Sequence, residues 1–203
     1  MMKFRLAGIR FYVSFPAISL ICLSLFISDD KLCLLPVCLL ASVIHEAGHL
    51  IFICRYKGKP ESICIKTGEV AINCNLCFAT YKEDLIITIA GICVNIIVSS
   101  VCFLLYQIIP SAFVFNVAMC NLVVGLFNLL PIKTFDGGQL TELLLTRRFC
   151  TSTVEKLVNI ITITTVIPIA FAGAYILLTS KFNYSMLLLA IYWLLLIINK
   201  EMR

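Results

Sequence analysis

Ser42-Val43-Ile44-His45-Glu46-Ala47-Gly48-His49-Leu50 sets two histidines four positions apart inside a long apolar run, and they are the only 2 histidines in the chain. Helical spacing of four puts both imidazoles on one face about one turn apart. Two such rings can ligate a single Zn²⁺ while Glu46 stands beside a metal-bound water. The competing reading has the histidines hydrogen-bonding between helices and Glu46 paired to a cation. No Lys or Arg lies within the apolar segments to pair with Glu46. Three ionisable groups within five positions of a spanning helix cost several kcal/mol unless they line a cavity or find a partner, and a metal ion resolves that charge. His45 precedes Arg55, at the cytoplasmic end of the run, by ten residues. At 1.5 Å per residue the site lies about 15 Å below the cytoplasmic surface, so hydrolysis there needs a route for water.

The surroundings of the motif are a membrane. Of 203 residues, 61% are hydrophobic and 13% charged, against roughly 25% charged in soluble domains. The apolar content fills about six spans of roughly 20 residues and leaves no room for a large soluble domain. The expected fold is an all-α integral membrane protein with spans near 11–28, 32–54, 85–109, 111–132, 157–179 and 184–199, read as one domain over 1–203. The first span follows Lys3, Arg5 and Arg10 like a signal peptide. Its length and the absence of a small-x-small cleavage site predict a retained helix.

Lys and Arg on alternate sides number 3, 5, 4 and 2 for the N-terminus, 55–84, 133–156 and the C-terminus, against Lys31 and Lys181 opposite. The asymmetry predicts a multi-pass cell-membrane protein with both termini cytoplasmic. The net charge of +5 is therefore topological. It forms no dense patch and carries no nucleic-acid signature, so nucleic acid is not an expected partner. The 11 cysteines scatter through the apolar runs and read as small buried hydrophobes rather than a secreted disulfide framework. Cys74 and Cys77, a lone CxxC, are a weak zinc or redox signal.

Residues 55–84 alternate in short runs, Ser62-Ile63-Cys64-Ile65-Lys66 and Val70-Ala71-Ile72-Asn73, around Thr67-Gly68-Glu69. They predict a small β-hairpin or three-stranded sheet on the cytoplasmic side. Ser152 or Thr153, followed by Glu155, predicts a capped start to the fifth helix, and Pro168 predicts a kink within it.

Catalytic zinc usually has three protein ligands and an open position. Asp136 stands out as the third, within Asn128-Leu129-Leu130-Pro131-Ile132-Lys133-Thr134-Phe135-Asp136-Gly137-Gly138. Two glycines and a proline around one carboxylate suit an irregular segment folded back into a protected cavity. The alternative makes Asp136 the N-cap of a short helix over 137–148, with Glu142 as the fallback ligand.

His45-Glu46-x-x-His49 together with Asn128-x-x-Pro131-x-x-x-x-Asp136-Gly137 resembles the site-2 protease family of intramembrane zinc metalloproteases (peptidase family M50). Phe127 to Gly138 is particularly similar to the branch containing the stage IV sporulation protein FB of endospore-forming bacteria. Ala90-Gly91-Ile92-Cys93-Val94-Asn95 is a weaker likeness, with Ile92 where relatives often carry proline. The resemblance spans about 33–145. It implies one Zn²⁺ held by His45, His49 and Asp136, with Glu46 as catalytic base and acid and Asn128 contacting the substrate or the oxyanion; Asn95 either contacts substrate or makes an interhelical hydrogen bond. It further implies cleavage of a membrane-tethered protein near the cytoplasmic side, a possible sporulation-related sigma-factor pathway, and a membrane inhibitor or regulator. The chain is too short for the CBS or PDZ domains of larger members. A metal transporter, a metal-dependent scaffold and an inactive relative are the alternatives.

Overall fold

The computed structural model describes residues 2–6, 9–13, 34–58, 60, 62–66, 69–73, 80–180 and 191. In chain order the described elements are β1 (Met2–Leu6), β2 (Ile9–Val13), α1 (Leu34–Tyr56), β3 (Ser62–Lys66), β4 (Glu69–Asn73), α2 (Tyr81–Ile108), α3 (Ala112–Asn128), α4 (Asp136–Thr146) and α5 (Thr151–Ser180). They fall into two compact units, Met1–Phe127 and Asn128–Arg203.

Among the described residues three helices are long and apolar enough to cross a membrane, Leu34–Tyr56, Tyr81–Ile108 and Thr151–Thr179, and Ala112–Asn128 is a shorter apolar helix. The expected six spans are thus not all present as helices in the described residues. The first, near 11–28, begins instead as strand, because Ile9–Val13 forms β2. Its remaining residues and nearly all of the expected 184–199 span lie outside the described residues. β-branched and aromatic side chains at 9–13 serve a strand as well as a helix, and apolar runs alone do not separate the two.

In the first unit the four strands form one sheet in the order β1-β2-β3-β4. β1 pairs antiparallel with β2, β2 runs parallel to β3 with Arg10 opposite Ser62, and β3 pairs antiparallel with β4 with Ser62 opposite Asn73. In the same unit Lys57 Nζ reaches Asp84 Oδ1 at 2.8 Å, joining the end of α1 to the first turn of α2. That turn is secured by the Glu83 carboxylate accepting the Thr80 N–H at 2.7 Å, half of a capping box. α1 packs on α3 through Val37, Ala41 and Cys120, flanked by Cys38, Val117 and Val124.

In the second unit α5 buries Val154, Val158, Thr162 and Val166, a stripe at intervals of four that marks one helix face. The helix starts at Thr151 rather than at a Ser152 or Thr153 cap, and Cys150 O accepts the N–H groups of Thr153 and Val154. It continues through Pro168 to Ser180.

Candidate metal centre

α1 carries His45 and His49 into the first unit's interior, where they are 4% and 9% exposed. Their Nε2 atoms lie 3.1 Å apart and their rings meet nearly edge to face, at 79°. His49 Nδ1 is 2.7 Å from Ile87 O of α2. A carbonyl only accepts, so Nδ1 carries the proton and the Nε2 lone pair is turned toward His45. That outer hydrogen bond is the usual device for orienting a metal-bound histidine.

The pair passes a geometric test for zinc. Two nitrogens bound at about 2.0–2.1 Å in a tetrahedral site stand roughly 3.3–3.4 Å from each other, and the observed separation is close to that. Two glycines make room for it. A Cβ on Gly91 would stand 2.8 Å from His45 Nε2 and closer still to His49 Nε2, so only a glycine leaves the inner edge of both rings clear. A Cβ on Gly48, within the His-Glu-x-x-His sequence, would meet Ala90 O and Gly91 Cα at 3.0 Å. Gly48 therefore sets how closely α1 approaches α2. Glu46 is half-buried on the same helix, adjacent in sequence to His45 and offset around the axis from the His45–His49 face.

The second unit shows how its own sequence presents Asp136. α3 ends at Asn128, four residues short of the expected boundary at 132, because Pro131 excludes helical geometry before it. The segment then turns through Ile132 N to Leu130 O at 2.7 Å and Phe135 N to Ile132 O at 2.8 Å. Asp136 is the first residue of α4 and Phe135 occupies the cap position, so the N-cap reading of Asp136 does not hold. Its negative charge sits at the positive end of a helix. A Cβ on Gly137 would overlap Leu129 O and one on Gly138 would overlap Ile132 O; the glycine pair lets the segment fold directly onto the helix start. Lys133 pins the segment to α5, its N–H donating to Thr162 Oγ1 at 3.1 Å and its ammonium to Glu155 Oε1 at 3.1 Å and Asn159 Oδ1 at 3.0 Å.

Of the remaining expected residues, Asn128 is half-buried at the end of α3. Asn95 is 0% exposed, and neither atom of its side-chain amide has a hydrogen-bond partner among the described residues. Glu142 is exposed on α4 and belongs to no metal-capable group among the described residues, which removes the fallback ligand. Sequence reasoning missed Gly91, Gly48 and the Ile87 carbonyl. The only signal for them was small residues at helical positions facing the motif, as in Ala90-Gly91.

Comparison with known proteins bears on the fold. Residues 105–169 match the model of peptidase family M50, a stretch that includes Asn128, Pro131, Asp136 and Gly137 but not the histidines. Among solved structures, the site-2 protease from Methanocaldococcus jannaschii is similar, at 20% identity and a TM-score of 0.62, over 95% of this chain and 91% of that one. A search of curated proteins gave no match. The chain thus has the fold of a site-2 protease, and the histidine pair is an observation independent of the family match.

Proposed function

We propose that this chain is an intramembrane zinc metalloendopeptidase that cleaves a membrane-tethered protein near the cytoplasmic side. The observation that carries the reading is the buried His45–His49 pair, its Nε2 atoms 3.1 Å apart, with one ring already oriented by the Ile87 carbonyl. We assign His45, His49 and Asp136 as the three protein ligands, on the resemblance of His45-Glu46-x-x-His49 and Asp136-Gly137 to the site-2 protease motifs. Nitrogen, nitrogen and carboxylate oxygen are a donor set suited to catalytic zinc.

When bound, zinc would supply a Lewis acid that lowers the pKa of water and polarises a scissile carbonyl. The chain's own residues supply the rest. Glu46 accepts the proton of the attacking water at its carboxylate and returns it to the leaving nitrogen. His49 keeps its ring fixed through Nδ1–H to Ile87 O. Asn128 contacts the substrate, and Asn95 is a weaker candidate for the same role. A helical substrate hides its peptide bonds, so it must be unwound before attack. An edge strand of the four-stranded sheet offers main-chain groups to hold it extended. The likeness of Phe127–Gly138 to the sporulation branch supports a regulated substrate, such as a sigma-factor precursor, and a membrane inhibitor as a further partner.

The test is co-expression with single-pass membrane substrates, comparing the chain with its Glu46→Gln variant. The variant is expected to lose cleavage fragments by at least about 100-fold while zinc content, measured by elemental analysis, stays at one per chain. Undiminished cleavage, or metal transport that survives the change without any cleavage by the parent, would overturn the protease reading.

A further inference from the structure

We propose that Cys38 and Cys120 are a redox-convertible thiol pair, a covalent modification site that can link α1 to α3. Their Sγ atoms lie 3.1 Å apart although the residues are 82 positions apart in sequence. No other two cysteines are in hydrogen-bond contact among the described residues, in which Cys54, Cys93, Cys102 and Cys150 are also free thiols. Cys120 is 5% exposed and packs with Val37 and Ala41, while Cys38 is half-buried at the margin of the same cluster. A disulfide needs its sulfurs at about 2.03–2.05 Å, about 1 Å closer than they stand. Packing holds both cysteine backbones in place and has already brought the two side chains together.

The unequal burial assigns the order of events. Cys38, the less buried member and about one turn from the start of α1, attacks a small-molecule disulfide such as oxidised glutathione as its thiolate. An S–S bond forms between Cys38 and one half of the oxidant, and the other half leaves as a thiol after taking up a proton. Cys120 then gives up its proton and attacks the Cys38 sulfur, expelling the second half as a thiol. Two cysteines are oxidised and one external disulfide is reduced, with two electrons transferred and both protons carried away on the released thiols. The link would fix α1 against α3 seven residues before His45, two turns along the helix that holds the histidine pair. The chemistry does not depend on the protease reading.

The full-length chain in detergent micelles is equilibrated with mixtures of oxidised and reduced glutathione, quenched with acid, alkylated and mapped by mass spectrometry. Helix content is followed by circular dichroism. The expected result is a peptide pair joined through Cys38 and Cys120, which dithiothreitol separates into two free-thiol peptides. The Cys120→Ser variant is expected to stop at glutathione on Cys38, and Cys38→Ser to leave Cys120 unmodified. The proposal is overturned if protein of native helix content yields no Cys38–Cys120 peptide with glutathione or with copper-phenanthroline. Glutathione accumulating on Cys38 of the parent chain without resolution by Cys120 overturns it equally.

Discussion

Gly91 is the residue, outside the expected ligands, on which the histidine pair most directly depends. A methyl there would press on Nε2 of both rings, the atoms that would face a metal. Gly91→Ala is therefore expected to weaken zinc binding by about 10- to 100-fold, the range for disturbing the support of a metal ligand. Gly125 lies elsewhere in the same unit, and its added Cβ would come no closer than 3.3 Å, to Asn95 Cβ. Gly125→Ala should therefore bind zinc within a few-fold of the parent. Competition with a chromophoric chelator measures both, and equal affinities for parent and Gly91→Ala would remove Gly91 from the site. Cys150 shows a different residue-scale effect. Hydrogen bonds with Ser152 Oγ and Thr153 Oγ1 stabilise its thiolate and lower its pKa to about 7. Because only the thiolate alkylates, iodoacetamide modification of Cys150 should be half-maximal near pH 7 and fall about tenfold per unit below it. Replacing Ser152 and Thr153 with alanine should move that midpoint upward, toward the ordinary thiol value of about 8.5; a midpoint that stays near 7 would show that these bonds are not the cause.

At the scale of elements, what the sequence made readable depended on how many structures each pattern permits. His45, Glu46 and His49 were readable because an i, i+4 pair has one geometric meaning on a helix, and α1 realises it. The apolar runs behind α1, α2, α3 and α5 were readable as helices. Their ends were less so: Leu129-Leu130-Pro131-Ile132 is as apolar as the helix before it, and Pro131 with the close backbone contacts of Gly137 and Gly138 decides where helix gives way to loop. Residues 11–13, the start of the expected 11–28 span, were misread because cations before an apolar run also describe a helix leader. The strand character of β2 rests in part on pairing with β3, more than fifty residues away, which no local pattern records. The sheet that results carries a test. β4 has only β3 beside it among the described residues, so the N–H groups of alternate residues face outward. A proline is tolerated at those positions of an edge strand but removes a donor. A proline scan of Glu69–Asn73 is expected to find alternating positions at which substrate cleavage falls at least about tenfold while the protein still accumulates in the membrane. Cleavage unchanged at every position that accumulates would exclude β4 as the docking edge.

For the whole molecule, charge and sheet pairing constrain topology independently. The count of Lys and Arg, 3 for the N-terminus and 5 for residues 55–84, predicts a cytoplasmic side for both. The hydrogen-bonded pairing of Arg10 with Ser62 and Val13 with Ile65 requires the two segments to share a side whatever the charges are, because a β-ladder cannot continue through a bilayer that separates its strands. The exposed Gly58, with φ of 81° and nothing within 4 Å of an added Cβ, offers an insertion point close to the sheet. Epitopes fused to the N-terminus in one version and inserted after Gly58 in another should both be protease-accessible in inverted vesicles and protected in right-side-out ones. Opposite sidedness for the two would contradict the β2–β3 pairing. Shared accessibility on the outer face would preserve the sheet but reverse the charge-based orientation, moving the proposed cleavage away from the cytoplasm. Reversing the charge of Lys57 and Lys59 together should reduce the fraction of correctly oriented chains, as near-membrane cations set orientation. It should leave zinc content per folded chain unchanged, since a lysine ammonium has no lone pair to offer a metal.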